Sequence, residues 1–339
     1  MNYLVTGGAG YIGVPLIETL LHEGNSVKCL DRFFFGKDSM KKICDDPNLT
    51  TIQEDIRWFN PKILEGIDVV IDLAALSNDP SGELDPVKTY DINYLGRVRV
   101  AKLSKEYGVK RYLLASTCSV YGFREEIITE SSPTNPLTTY AKSAVKAERD
   151  ILSLVDNEFT VIAPRFATVY GLSPRMRFDL AINAMVMKLQ QSGKISVMRD
   201  GNQWRPFIHV KDVVKAYVLL SESPEEKVNG QIFNVGSNEQ NYQIHPLAQM
   251  LGEASGRPYE LEWYGDPDTR SYRVNFDKIA DTLGFKPDYT PEDATKEIYE
   301  ALEAGEVSET IKTKTVQWYK HLLESEKLLK EVMIKDTIL

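Results

Sequence analysis

Three glycines at three-residue spacing, Gly7, Gly10 and Gly13, lie between a short apolar run and an apolar stretch of helical period. Glycines there let the backbone turn sharply and let a diphosphate approach without meeting a Cβ. The free N–H groups and positive dipole end of the following helix then hold the anion, so Gly7, Gly10, Tyr11, Ile12 and Gly13 form a diphosphate cradle. Asp31 stands about twenty residues along, at the end of the next apolar run, where a carboxylate accepts hydrogen bonds from a ribose diol. That carboxylate repels a 2′-phosphate, which favours NAD over NADP. The neighbouring Arg32 softens this preference.

The elements that carry these residues follow from the periodicity. Residues 3–5 read as a strand, 14–21 as a helix closed by Gly24, and 26–30 as a second strand ending at Asp31. The Phe33-Phe34-Phe35 loop either flanks an adenine or packs locally. Residues 49–53 form a further strand whose end presents Asp55 and Ile56. Strand ends line the crevice of a doubly wound sheet, so Asp55 is placed to meet the adenine amino group. The apolar strand 69–73 opens into Leu73-Ala74-Ala75, small enough for close approach of a cofactor. A polar loop with Ser77 and Asn78 follows, placed to meet a substrate.

A helix is expected over 87–107, with Asn93 and Arg97 at helical spacing. Strand 111–115 delivers Ser116-Thr117-Cys118-Ser119-Val120-Tyr121-Gly122 at its carboxyl end, and a helix begins near Tyr140. Strand 160–163 leads towards Thr168 and Gly171. This alternation predicts an α/β fold, a doubly wound parallel (Rossmann) sheet with helices on both faces. Beyond Gly171 the rhythm changes. A basic loop with Arg175 and Arg177 precedes a helix over 178–191, a strand over 194–199 and a helix from about 211. A strand over 232–235 returns to the sheet, and a charged amphipathic helix spans 308–332. The expected organisation is an NAD-binding domain over 1–170, rejoined by 207–238, and a smaller mixed α/β substrate domain over 171–206 and 239–339.

Bulk properties narrow the function classes. The chain has 339 residues, 42% hydrophobic and 26% charged, with ordinary globular proportions. A net charge of −9 argues against generic nucleic-acid binding. No apolar run approaches the roughly twenty residues needed to span a bilayer. Three cysteines without paired spacing suggest a reducing, cytoplasmic setting with no disulfide or zinc, and the four histidines show no metal-ligand spacing.

These motifs together resemble the extended short-chain dehydrogenase/reductase family, the NAD-dependent nucleotide-sugar epimerases and dehydratases. The resemblance covers nearly the whole chain. It rests on the glycine turn, Asp31, Asp55, Leu73-Ala74-Ala75, Asn93, Ser116-Thr117 with Val120-Tyr121-Gly122, Tyr140 with Ser143 and Glu148, and Arg205 with Phe207-Ile208-His209-Val210. It implies that NAD sits in the first domain, Asn93 and Ser116 included, while the smaller domain clamps a nucleotide-diphosphate sugar. Tyr140, as phenolate, would remove a proton from a sugar hydroxyl while hydride passes to the nicotinamide, and Thr117 would hydrogen-bond the same oxygen. Cys118, Ser119, Asn183, Arg205, either Arg270 or Arg273, and Thr168, which replaces an asparagine common in the family, fall to the substrate. Arg175 and Arg177 either form a solvated basic loop or meet a charged group on that substrate. The resemblance also implies a homodimer that pairs the helix near 87–107 with the one starting at Tyr140.

One departure is large. The family lysine stands four residues after the tyrosine, about 400° round the helix and so on the same face, where it holds the nicotinamide ribose and lowers the tyrosine's pKa. Here that position is Ala144, and Ser143 and Glu148 fix the register. Lys142 and Lys146 point roughly 160° and 120° away. A tyrosine near its ordinary pKa of about 10 is almost wholly protonated at neutral pH, so the chain is expected to hold NAD and turn over poorly. Either the alanine is a substitution made to trap a complex, or it marks a natural variant that has lost or rerouted its chemistry.

The reaction follows from what comes after Thr117. Family dehydratases carry Asp-Glu there and decarboxylating members a glutamate, whereas here Cys118-Ser119 offers no carboxylate for acid–base work. C4 epimerisation through a transient 4-keto sugar fits best. The alternatives are a C4 dehydrogenase or reductase, and a non-catalytic NAD- and nucleotide-sugar-binding protein.

Overall fold

The computed structural model describes residues 1–266, 271–334 and 337. Among them, seven parallel strands build the main sheet: β1 (Asn2–Thr6), β2 (Ser26–Asp31), β3 (Leu49–Gln53), β4 (Val69–Asp72), β5 (Arg111–Leu114), β6 (Thr160–Phe166) and β7 (Gln231–Val235). Their order is β7-β6-β5-β4-β1-β2-β3, with the short Ser116–Thr117 strand also paired to β6. Every residue of β6 is buried, as expected of a strand covered by helices on both faces. The order reverses between β1 and β4, whose last residues, Thr6 and Asp72, are in register. Connections leave in opposite directions at such a point, so a crevice opens beyond the strand ends.

Helix α1 (Gly13–His22) buries Leu16, Ile17 and Leu20 against the sheet, and α2 (Arg97–Glu106) and α3 (Thr139–Leu152) cover other parts of it. A second apolar cluster is built on α4 (Ala181–Ser192), α5 (Val210–Glu222) through Val210, α6 (Ile244–Ala254) and α7 (Pro291–Glu303). Small sheets accompany it: Lys194–Met198 pairs with Glu260–Tyr264, and Trp204–His209 lies between Thr168–Tyr170 and Asn241–Gln243. The chain therefore runs through this smaller mixed sheet at 207–209 before rejoining the main sheet at β7. Among the described residues no helix is long and apolar enough to cross a membrane.

Three elements depart from the periodicity. The helix expected over 87–107 is interrupted: Pro86–Tyr90 is followed by a π-helical turn, Asp91–Gly96, before α2 begins. Within that turn Asn93 accepts from Leu76 N–H at 2.8 Å and donates to its carbonyl at 3.1 Å. Helix α4 starts at Ala181, after Leu180 in extended conformation (φ −91°, ψ 142°), and the Phe178 N–H donates to the Thr313 carbonyl at 2.8 Å. The C-terminal helix α8 (Thr315–Val332) starts seven residues later than expected, after a Thr310 capping box and a 3₁₀ turn over Ile311–Thr313. The β-branched run there lowers helix propensity.

The crevice is stapled from beneath. The buried Asp72 carboxylate accepts from Thr6 Oγ1 on β1 at 2.5 Å, Tyr112 OH on β5 at 2.5 Å and Arg97 Nε on α2 at 3.0 Å. Arg97 also donates to the Asp72 carbonyl at 2.7 Å. Removing one member of such a pair leaves an uncompensated buried charge, which costs about 3–5 kcal/mol. Arg97→Leu is accordingly expected to lower the unfolding free energy by that amount in urea titrations, whereas a loss under 1 kcal/mol would show that the pair carries little.

Candidate active site

A cavity of about 510 Å³ occupies the crevice. Its floor is the glycine turn. Gly7 has φ +65°, and a Cβ on it would lie 2.9 Å from the Ala74 backbone; a Cβ on Gly13 would lie 2.5 Å from the Gly8 carbonyl oxygen. Only glycine fits at either place. The N-cap of α1 is Ile12, whose side chain cannot cap the helix. Val14 N–H bonds the Gly10 carbonyl at 3.2 Å and Pro15 has no N–H, so the amides of Tyr11, Ile12 and Gly13 are the ones open to an anion. Asp31 closes one end. Its carboxylate accepts from Ala9 N–H at 3.0 Å and Phe33 N–H at 2.6 Å, joining the glycine turn to the aromatic loop. Burial pushes its pKa up, against the pull of these two amides. Open amides, a glycine floor and a carboxylate at the ribose end fit a dinucleotide.

Most of the residues singled out in the sequence line this cavity. They are Gly7, Gly10, Tyr11, Ile12, Gly13, Asp31, Arg32, Asp55, Ile56, Leu73, Ala74, Ala75, Ser116 and Tyr140, expected to meet the cofactor, and Ser77, Asn78, Thr117, Ser119, Thr168, Arg175, Arg177 and Arg205, expected to meet the substrate. Arg205 packs its guanidinium over Tyr272 and donates to the Trp204 carbonyl at 2.8 Å. Arg270 lies outside the described residues.

Three expected residues do not reach it. Asn93 spends its amide on Leu76 and braces the 74–77 loop from behind. Cys118 is buried with its thiol on the Arg165 carbonyl, and burial raises its pKa far above the ordinary thiol value, so it is core and not a substrate contact. Asn183 bonds Gly171 N–H, Tyr11 OH and the Arg177 carbonyl, which makes it the post of the 171–177 loop. Asp55 lines the cavity without capacity for an adenine. Its four lone-pair sites take Arg57 N–H and Nε on one oxygen and Arg32 Nη1 and Arg57 Nη2 on the other, at 2.7–2.9 Å. The basic loop is not solvated: Arg175 and Arg177 are both buried.

Tyr140, at the start of α3, faces Thr117 across the cavity. Thr117 Oγ1 accepts from Ser119 N–H at 3.1 Å, which leaves its own proton for the Tyr140 oxygen. Burial pushes the Tyr140 phenol above its ordinary value; the Thr117 hydroxyl opposes this, Asp79 reinforces it, and Arg97 and Arg177 oppose it further. Those arginines already face Asp72 and Asp179 at 3.0 and 2.8 Å. Ala144 lies one turn below, packed into the main core. Lys142 is exposed, and Lys146 sits over the Tyr94 ring, so neither stands in for a lysine at 144. One turn further, Glu148 takes Arg165 at 2.9 and 2.6 Å and the Ser116 hydroxyl, which locks α3 to β6.

Asp79, in the polar loop expected to meet a substrate, also lines the cavity, whereas Arg97, Tyr272, and Thr315 and Tyr319 of α8 escaped sequence reasoning. The i,i+4 spacing of Thr315 and Tyr319 puts them on one helix face, but nothing local says what that face meets.

The sequence profile of the NAD dependent epimerase/dehydratase family matches residues 3–236. A UDP-glucose 4-epimerase of Lactobacillus helveticus is 28% identical over 312 residues, covering 85% of this chain and 92% of the relative. A UDP-glucuronate 4-epimerase of Thermodesulfobacterium geofontis is 27% identical and covers 97% and 99%. A solved structure, MoeE5 in complex with UDP-glucuronic acid and NAD, superposes with a TM-score of 0.79 at 26% identity over 90% of this chain and 100% of that one. A parallel sheet with a diphosphate cradle at its switch point defines a dinucleotide-dependent α/β protein. The chain belongs to the NAD dependent epimerase/dehydratase family, and its cofactor is NAD.

Burial raises the Asp55 carboxyl, but hydrogen bonds from Arg57 and Arg32 outweigh it and bring the pKa to about 2. A depressed folded-state pKa stabilises above the unfolded value of about 3.9 and loses that contribution as pH falls through the folded value. Asp55→Asn should therefore cost about 2 kcal/mol at pH 7, with the gap from wild type narrowing at pH 3. A gap in urea midpoints that stays constant with pH would contradict the pairing.

Proposed function

We propose that the chain is built as a nucleotide-sugar 4-epimerase acting on UDP-sugars, with the coupling of cofactor binding to turnover impaired. The observation that carries this reading is Tyr140 facing Thr117 in the cofactor cavity with Cys118-Ser119, and no carboxylate, following Thr117. Dehydration or decarboxylation needs a further acid–base group at that place. Inversion at C4 needs only a reversible oxidation and a turn of the keto sugar.

NAD, when bound, supplies the acceptor and donor of hydride. Gly10, Tyr11, Ile12 and Asp31 would hold it, with Ala74 and Ala75 leaving room for close approach. Tyr140 Oη takes the proton from the sugar hydroxyl, and the Thr117 hydroxyl donates to the same oxygen. Ser119 and Arg205 support the sugar nucleotide on the far wall. The Thr138 hydroxyl donates to Asp79 at 2.7 Å, holding that carboxylate at the cavity edge.

The deficit is electrostatic. A buried phenol pushed above its ordinary pKa is a weak base at neutral pH, and each unit costs about 1.4 kcal/mol. In a helix every Cα–Cβ bond tilts toward the N-terminus, so a lysine at 144 would extend up the face towards Tyr140. Ala144→Lys is expected to raise turnover about a hundredfold, and Tyr140→Phe in that background to abolish it. NMR of UDP-sugar mixtures would show C4 inversion. Accumulation of NADH with no inverted product would replace the epimerase with a dehydrogenase. No turnover in Ala144→Lys, with NAD binding intact, would leave the non-catalytic binder.

The proposal extends to a cytoplasmic homodimer, with residues 1–170 and 207–238 serving the cofactor and 171–206 and 239–339 the sugar nucleotide. Val87 and Leu95, 78% and 54% exposed beside α2, support pairing through that face. Sedimentation should give a dimer that Val87→Glu with Leu95→Glu converts to monomer; an unchanged dimer would place the interface elsewhere.

A further inference from the structure

Among the described residues no carboxylate makes a direct ion pair with Arg175, although Asp179 and Asp31 lie near enough to favour its charge. Arg175 is only 7% exposed, yet its Nε has no hydrogen-bond partner. The nearby Asp179 is taken by Arg177 at 2.8 Å and Asn78 at 3.0 Å. Its guanidinium lies 3.5 Å from the centre of the Phe35 ring, and Nη2 donates to Thr315 Oγ1 at 3.2 Å. Burial and the neighbouring Arg177 lower its pKa to about 10, so it stays charged at neutral pH. A buried cation without a direct ion pair is costly, and an anion placed against it offsets that cost.

The position of the loop says which anion. Ser173 Oγ donates to the Tyr11 carbonyl at 2.7 Å, and Tyr11 OH donates to the Gly171 carbonyl at 2.6 Å. The 171–177 loop is thus bolted to the glycine turn, and Arg175 lines the same cavity as the open amides at the start of α1. The C-terminal segment, outside the residues matched by the family profile, fixes the other side. Trp318 Nε1 donates to the Phe34 carbonyl at 2.7 Å, and Tyr319 packs on Phe34 and Phe35 with centroids 6.1 and 5.6 Å apart.

We infer that Arg175 binds the diphosphate of the NAD cofactor from the side opposite the glycine turn, and that the start of α8, through Thr315, Trp318 and Tyr319, holds it there. Arginine suits this task because its planar donor fork matches phosphate oxygens while its face stacks on an aromatic ring. The C-terminal helix is then part of the cofactor site. This rests on the NAD assignment.

The test is calorimetric titration of the full-length, nucleotide-free protein with NAD, ADP, adenosine and UDP. Arg175→Met, of similar bulk without charge, should weaken NAD and ADP roughly ten- to a hundredfold and leave adenosine and UDP within about twofold. Arg175→Lys should recover part of the loss, and the near-isosteric Thr315→Val should weaken ADP several-fold. Unchanged ADP binding by Arg175→Met, equal losses of ADP and adenosine, or a loss confined to UDP would each overturn the inference while leaving NAD binding standing. A wild-type protein that binds neither NAD nor ADP would overturn the cofactor assignment, and this inference with it.

Discussion

A single buried carboxylate sets the geometry on which the cofactor crevice depends. Asp72 ends β4 at the switch point and draws together Thr6 of β1, Tyr112 of β5 and Arg97 of α2. The backbone ladder ends here, with Leu73 N–H on the Thr6 carbonyl and Ala115 N–H on the Asp72 carbonyl, each at 3.1 Å. The Asp72 side-chain network adds a second link between the same strands, immediately beneath the cavity. Its cost is the desolvation of two charges, which close pairing and two neutral donors offset. Thr6 then bonds Ala74 N–H at 3.2 Å, so the same network fixes the start of the small-residue loop that faces the cofactor.

A second buried pair does the same for the reactive wall. Positions 140, 144 and 148 lie on one face of α3 and correspond to three depths: cavity, helix–sheet interface and buried network. Glu148 with Arg165 and Ser116 anchors the deepest level and thereby sets the height and rotation of Tyr140. None of this depends on what stands at 144. An alanine there packs into the main core without disturbing either neighbour. The placement of Tyr140 is therefore carried by Glu148 and its partners and not by the residue at 144.

What was legible in the sequence was what short-range chemistry dictates. The glycine turn, Asp31 and the strand–helix alternation could be read because each element's role is set within about thirty residues. Asn93, Cys118 and Asn183 sit beside the site in sequence and yet miss the cavity. Their destination depends on a π turn, a core contact and a bond to Tyr11 across 172 residues. Thr315 and Tyr319 were hidden for the same reason, since the bond that docks their helix joins positions 284 residues apart. Composition left the 175–177 loop open between solvent and a charged group on the substrate, and the packing of Phe35 and α8 encloses it.

The arginines around the crevice show why pairing, rather than count, decides what a charged site selects. Arg97 is matched by Asp72, Arg177 by Asp179, and Arg32 by Asp55. In the sequence Arg32 softened the preference for NAD, being adjacent to Asp31 and able to meet a 2′-phosphate. In the fold it is committed to Asp55, which Arg57 holds from the other side. A 2′-phosphate arriving at Asp31 would meet a carboxylate there, and recruiting Arg32 would mean breaking a charge-assisted bond of 2.7 Å. The preference for NAD thus rests on Asp31 and equally on Asp55, which keeps the neighbouring Arg32 occupied. Arg175 is the exception to the pairing, and it stands against the diphosphate cradle, where both NAD and NADP carry the same charge.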